Sequence, residues 1–156
     1  MVEQQIPESR TYRHTQCGNE TTVSEQSFEL VSNPMSSMEQ THCSSCNAMF
    51  PISEYEWSDT GETISGYYAR HTKNATDRQR FLCSKKFMVG VILFSAIVTA
   101  GAISVLVADN NMLARIISLF GGLMIGAMIG MAIFVSGFAN PIKRKVCGVS
   151  DTRMLT

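Results

Sequence analysis

Two long apolar blocks and a short polar break dominate the second half of this chain. Phe87 to Ala108 reads FMVGVILFSAIVTAGAISVLVA, 22 residues without a charge, and Ile116 to Phe138 reads IISLFGGLMIGAMIGMAIFVSGF, 23 residues without a charge. At a rise of about 1.5 Å per residue each block outreaches the roughly 30 Å hydrocarbon core of a bilayer. Both are apolar all round, which is the pattern of a membrane span and not of a surface helix with one apolar stripe. The residues between them, DNNMLAR at 109–115, open with turn formers, and so short a connection forces antiparallel neighbours. The expected fold is an all-α membrane protein built on a two-helix transmembrane hairpin, with spans at 87–108 and 116–138 and a lumenal turn at 109–115.

Upstream the pattern changes. Residues 1–40 are rich in Glu, Gln, Ser, Thr and Asn, with little apolar periodicity beyond SFELV at 27–31, and read as a disordered acidic arm. Residues 41–86 gather Met49, Phe50, Ile52, Tyr55, Trp57, Ile64, Tyr67 and Tyr68 around the turn signal Ser58-Asp-Thr-Gly61, which predicts a small β-hairpin. Tyr55, Trp57, Tyr67 and Tyr68 are the expected partner-binding aromatics. Residues 139–156 form a basic tail.

Charge gives the hairpin a direction. Residues 1–66 carry ten acids against Arg10 and Arg13, and ten of the thirteen bases border the two spans, Lys85, Lys86, Lys143, Arg144 and Lys145 being the nearest. Arg115 is the one base in the connection. The positive-inside rule then puts both termini in the cytosol. Two sequons, Asn19-Glu-Thr and Asn74-Ala-Thr, point the other way. The chain opens MVEQQIPESRTYRHTQ, without the basic and apolar regions of a signal peptide.

Within the second span Gly122, Gly126 and Gly130 recur at intervals of four, and Ala96, Ala100 and Ser104 offer a matching small stripe on the first. Small residues let helix backbones approach closely in lipid, so the stripe either seats the first helix or joins copies of the chain into a homo-oligomer. Neither span holds Asp, Glu, Lys, Arg or His, which excludes a proton relay or ion site of the ionisable kind.

The five cysteines, at 17, 43, 46, 83 and 147, are an odd number spread across both sides of the apolar blocks, which favours a reducing compartment over a disulfide framework. No cofactor is expected, zinc being the alternative. Cys43-Ser-Ser-Cys46 has the spacing of half a zinc knuckle, and the ligands considered to complete it are His71 and Cys83, with His42 and Cys17 also available. Cys83 and Cys147 sit at membrane edges, where S-acylation is chemically reasonable. Cys147 and Arg153 also have the Cys-x5-Arg spacing of cysteine phosphatases, in which a thiolate attacks phosphorus and the arginine holds the phosphate.

The run from Phe87 to Phe138, with its two closely spaced lobes, resembles the bilobed hydrophobic domain of the chlamydial inclusion membrane proteins. That resemblance implies a secreted effector carried by type III secretion and resident in a pathogen vacuole (inclusion) membrane, where it recruits host proteins. The CxxC pair ahead of a two-span hairpin, with a Cys-x5-Arg, is also similar to the eukaryotic phosphatidylinositol-4,5-bisphosphate 4-phosphatases, which implies lipid phosphatase chemistry. The function expected is that of a membrane-anchored, non-enzymatic scaffold or adaptor that recruits a cytosolic protein, the alternative being a phosphoinositide phosphatase-like protein. No nucleic-acid partner is expected.

Overall fold

The computed structural model describes residues 6–107 and 112–155. Of the turn expected at 109–115, residues 109–111 lie outside the described residues, as does Ala108, the last residue of the first span, while residues 112–115 already belong to a helix. The chain divides into two compact units, one made of Met1–Thr76 with Lys143–Thr156 and the other of Asp77–Ile142.

In the first unit the described residues of the N-terminal arm are folded, which corrects the expectation of disorder over 1–40. Strand β1 (Ser9–His14) pairs antiparallel with β2 (Glu20–Ser24) on one edge, and on the other with β5 (Tyr55–Trp57), in register Tyr12 to Trp57 and His14 to Tyr55. Strands β3 (Gln40–Cys43) and β4 (Ala48–Pro51) make a separate antiparallel hairpin. Helix α1 (Glu25–Ser32) follows β2 directly, and α2 (Ile64–His71) starts at Thr63, whose side chain accepts a hydrogen bond from the Gly66 amide at 3.1 Å. Alternation along β1 turns Tyr12 and His14 inward between less buried neighbours. The arm contributes few apolar residues, but Tyr12, Val23, Phe28 and Val31 all enter one core with Trp57, Ile64, Tyr67 and Leu155. Those partners are distant in sequence. Local composition therefore undercounts what the arm can bury.

Trp57 is the centre of that core, fully buried and edge-on to Tyr12 at 6.3 Å, Phe28 at 6.5 Å and Tyr67 at 5.7 Å between ring centroids. The Arg10 guanidinium covers its face at 4.1 Å and is itself paired with Asp59. Helix α1 ends against two phenols: Tyr68 Oη donates to the Val31 carbonyl at 2.8 Å and Tyr67 Oη to the Ser32 carbonyl at 3.1 Å. A helix leaves its last carbonyls without intrahelical donors, and these two hydroxyls satisfy a pair of them. Ser32 Oγ donates to Thr152 Oγ1 at 3.3 Å, so the C-terminal segment closes the same core.

The second unit holds a short helix, α3 (Asp77–Leu82), and two long ones. Helix α4 (Lys85–Leu106) starts two residues ahead of the expected span and is capped by Ser84, whose hydroxyl accepts from the Phe87 amide at 3.2 Å. Helix α5 (Met112–Ile133) runs on through a π-helical stretch, Phe134–Ala139, into α6 (Asn140–Cys147). Both α4 and α5 are long and apolar enough to cross a membrane, and their outer faces expose Phe94, Ile97, Leu106, Phe120, Met124 and Met128.

The glycine stripe works within this helical hairpin. A Cβ added to Gly122 would stand 2.7 Å from Ala100 Cα, one on Gly126 2.6 Å from Ala96 Cα, and one on Gly130 2.8 Å from Ile92 Cα. The first two pairings follow the expected stripes, and the third meets Ile92. Ser104 lies a turn beyond the glycine contacts, its hydroxyl buried. At the other end Phe87 packs on Phe138 at 5.0 Å and Phe134 at 6.4 Å.

Candidate metal centre

The turns of the two hairpins in the first unit carry one cluster of chemistry. Between β1 and β2 the chain makes a tight turn, in which the Gly18 amide donates to the His14 carbonyl at 2.8 Å and the His14 amide to the Asn19 carbonyl at 2.9 Å. Gly18 sits at φ +71°, the left-handed region that glycine enters without steric cost. This turn presents His14 and Cys17. Between β3 and β4 a second turn, ending in Asn47 at φ +50°, presents Cys43 and Cys46.

These four side chains converge. His14 Nδ1 lies 3.1 Å from Cys17 Sγ and 3.8 Å from Cys46 Sγ, and Cys17 Sγ lies 3.6 Å from Cys43 Sγ. All four donor atoms fall within 4.8 Å of one another. His14 and Cys43 are buried, while Cys17 and Cys46 reach the surface. All three cysteines are free thiols.

Two aromatic rings and a carboxylate surround the imidazole. Phe50 stacks on it at 4.4 Å and Tyr55 at 4.9 Å between centroids, and its Nε2 faces Glu54 Oε2 at 3.6 Å. Glu54 is fixed in turn by Gln16 Nε2, which donates to the same oxygen at 2.6 Å. The two hairpins are tied beside the cluster: Tyr12 Oη meets Thr41 Oγ1 at 3.1 Å, Tyr55 Oη donates to the Thr41 carbonyl at 3.1 Å, and Asn19 Nδ2 donates to Ser44 Oγ at 3.2 Å.

Crowding makes the thiols unequal. The Cys46 amide, donating toward Cys43, holds the Cys43 thiol below the usual cysteine value, whereas the hydrogen bond with Cys17 pushes the Cys46 thiol well up. Of this pair, Cys43 ionises readily and Cys46 keeps its proton, because adjacent thiolates repel. A bound cation would remove that repulsion and let all three ionise.

Of the ligands expected beside Cys43 and Cys46, the structure brings in Cys17, and adds His14. His71 packs instead against the Tyr67 ring at 4.6 Å, and Cys83 belongs to the helical unit, between α3 and α4. The expectation for His71 is corrected. The sequence signal for the actual pair is His14-Thr-Gln-Cys17, a second two-residue spacing equal to that of Cys43 and Cys46.

The expected partner-binding aromatics are corrected too. Tyr55 is 1 % exposed, Trp57 and Tyr67 0 %, and Tyr68 8 %, so all four build the core and offer no docking surface. Of the basic flanking residues, Lys85, Lys86, Arg144 and Lys145 are exposed, but Lys143 is buried with its Nζ 3.4 Å from Glu29 Oε1.

Cys147 and Arg153 form no phosphate loop. Burial pushes the Cys147 thiol up, away from the thiolate a nucleophile needs, and Arg153 is committed to Asp151, with Nη2 2.7 Å and Nε 3.1 Å from Oδ2. Between them the chain makes bends and a short 3-10 turn, Thr152–Met154, where such a loop requires a strand before it and a helix after it. Set beside known proteins, the chain matches no family model, no curated protein and no solved structure.

Proposed function

We propose that this chain is a two-span membrane-anchored scaffold: a helical hairpin fixes it in the bilayer, and a small folded head on the cytosolic side recruits a cytosolic protein. The observation that carries this reading is the composition of the head. Residues before α3 and residues from Lys143 onward belong to one folded unit, in which Leu155 enters the core beside Trp57 and Thr152 bonds Ser32. If α4 and α5 each cross the bilayer, the segments flanking them must emerge on one side, as an even number of spans requires. The exposed Lys85, Lys86, Arg144 and Lys145 support the cytosolic assignment for that side.

With the aromatic residues taken up by the core, recruitment falls to the polar surface. Glu20, Glu25, Glu29 and Glu39 are exposed on the head and suit a basic partner whose binding weakens with salt. The inclusion-membrane setting rests on the hydropathy of residues 87–138 and extends the same reading to a host partner.

The test is protease protection on intact vesicles that carry the protein tagged at either end in turn. Digestion of both tags from the cytosolic side, with the hairpin resistant to alkaline extraction, is the expected result. Protection of one tag overturns the two-span topology, and protection of both overturns the cytosolic head.

A further inference from the structure

The four-donor cluster carries an inference independent of the membrane reading. We propose that His14 Nδ1 and the Sγ atoms of Cys17, Cys43 and Cys46 bind one zinc ion in a closed tetrahedral site that staples the β1–β2 hairpin to the β3–β4 hairpin.

Geometry comes first. With Zn–S near 2.3 Å and Zn–N near 2.05 Å, a regular tetrahedron has S···S edges of about 3.8 Å and S···N edges of about 3.6 Å. The separations of 3.1 and 3.8 Å from His14 to Cys17 and Cys46 bracket the second edge, and that of 3.6 Å between Cys17 and Cys43 lies just inside the first. The ligands arrive as two pairs of equal spacing on two hairpin turns, so each turn grips the ion from one side. Three soft thiolates and an imidazole select zinc over oxygen-seeking cations.

The surroundings fit a ligated histidine. Coordination through Nδ1 leaves Nε2–H facing Glu54, and a carboxylate behind a metal-bound imidazole fixes its tautomer and orientation. Glu54 is thus a positioning residue. Binding replaces the thiol protons with the metal charge and releases them to solvent, while His14 stays neutral.

Structure also says what the metal does. Four protein donors leave no open position for water, which marks a structural site rather than a catalytic one. The β3–β4 hairpin has two strands, too few for independent stability in water. Its link to the main sheet runs through this cluster, the packing of Cys43 and Phe50 on the core and a few hydrogen bonds.

The experiment uses the full chain purified in detergent micelles, its metal content measured after dialysis, with cobalt(II) as a spectroscopic substitute for zinc. One zinc per chain is expected, and the cobalt form should show the intense visible bands of tetrahedral thiolate coordination. Cys43→Ser and Cys46→Ser should lower zinc to less than about a tenth of the wild-type content, while His71→Ala and Cys83→Ser keep it. His14→Cys guards against misfolding: it should retain one zinc and strengthen the sulfur-to-cobalt charge-transfer absorption. Wild-type protein that stays metal-free after zinc is supplied overturns the proposal, as does a Cys17–Cys43 disulfide found by thiol alkylation. Retention of zinc by both Cys43→Ser and Cys46→Ser overturns it equally. Protease protection is untouched by any of these outcomes, so the site and the topology fail separately.

Discussion

Gly126 and Ala96 mark a close crossing of the two long helices: a single methyl on Gly126 would stand 2.6 Å from the Ala96 Cα and equally close to the Ser95 carbonyl oxygen. Backbone cannot retreat from such a contact without moving a helix. Gly126→Ala should therefore weaken the hairpin by about 1–3 kcal/mol, the usual range for overpacking. Gly101→Ala, where the added methyl meets nothing within 4 Å, should be neutral or slightly stabilising. Unfolding of the two variants in mixed detergent micelles makes the comparison, and equal stability would refute the interlocked arrangement.

The head has its own probe in Trp57, the single tryptophan of the chain. Tyr67→Ala removes a fully buried ring from its edge and should cost about 3–5 kcal/mol in urea unfolding followed by tryptophan fluorescence. Tyr68→Phe removes only the hydroxyl bound to the Val31 carbonyl and should cost about 1–2 kcal/mol. A surface role for these tyrosines would instead leave the fluorescence transition unmoved.

Two carboxylates give the head an acid limit. The hydrogen bonds from Arg70 to Glu62 and from Arg153 to Asp151 hold both acids below their ordinary values. A carboxylate depressed in the folded state stabilises fully above its unfolded value, about 4, and loses that contribution as pH falls through the folded one. Both pairs are largely solvent-screened, and the Arg70 pair is worth about 0.2–1 kcal/mol. Glu62→Gln should lower stability by about that amount at neutral pH and flatten the profile below pH 4, where the difference from wild type disappears. A profile parallel to that of wild type throughout would show that the Arg70 pair contributes nothing.

Acting through His14, Glu54 should tune metal affinity without being a ligand. Glu54→Gln is expected to keep the tetrahedral cobalt spectrum while weakening zinc binding about 10–100-fold in chelator competition. Unaltered affinity would mean that the carboxylate does not orient the imidazole.

The hairpin was legible in the sequence because its signal is local: uninterrupted apolar runs, and glycines every four residues, need no knowledge of the rest of the chain. Helix ends were less so, since Ser84 caps α4 by a side-chain bond that hydropathy does not register. The head was misread for the opposite reason. Tyr12 finds Trp57 across a strand pairing, and Phe28 finds the same ring from α1, so an arm poor in apolar residues still folds. Aromatic clustering around Tyr55 and Trp57 was real, but clustering marks a core as readily as an interface. At the candidate site Cys43 and Cys46 stood out and His14 did not, although His14 and Cys17 repeat the spacing in the same order. Histidine in place of one cysteine hid the second half of the pattern.

The bond between Ser32 and Thr152 joins residues 120 positions apart. Closing so long a loop adds little to the equilibrium cost, because that entropy grows only with the logarithm of length. Its effect falls on timing. As the ribosome delivers the chain, β1 to α2 emerge first, yet the residues that cover their core, Thr152 and Leu155, arrive only after both long helices have been synthesised. The nascent head must wait, partly uncovered, until both long helices have been made, so its completion reports that the whole hairpin has already been synthesised.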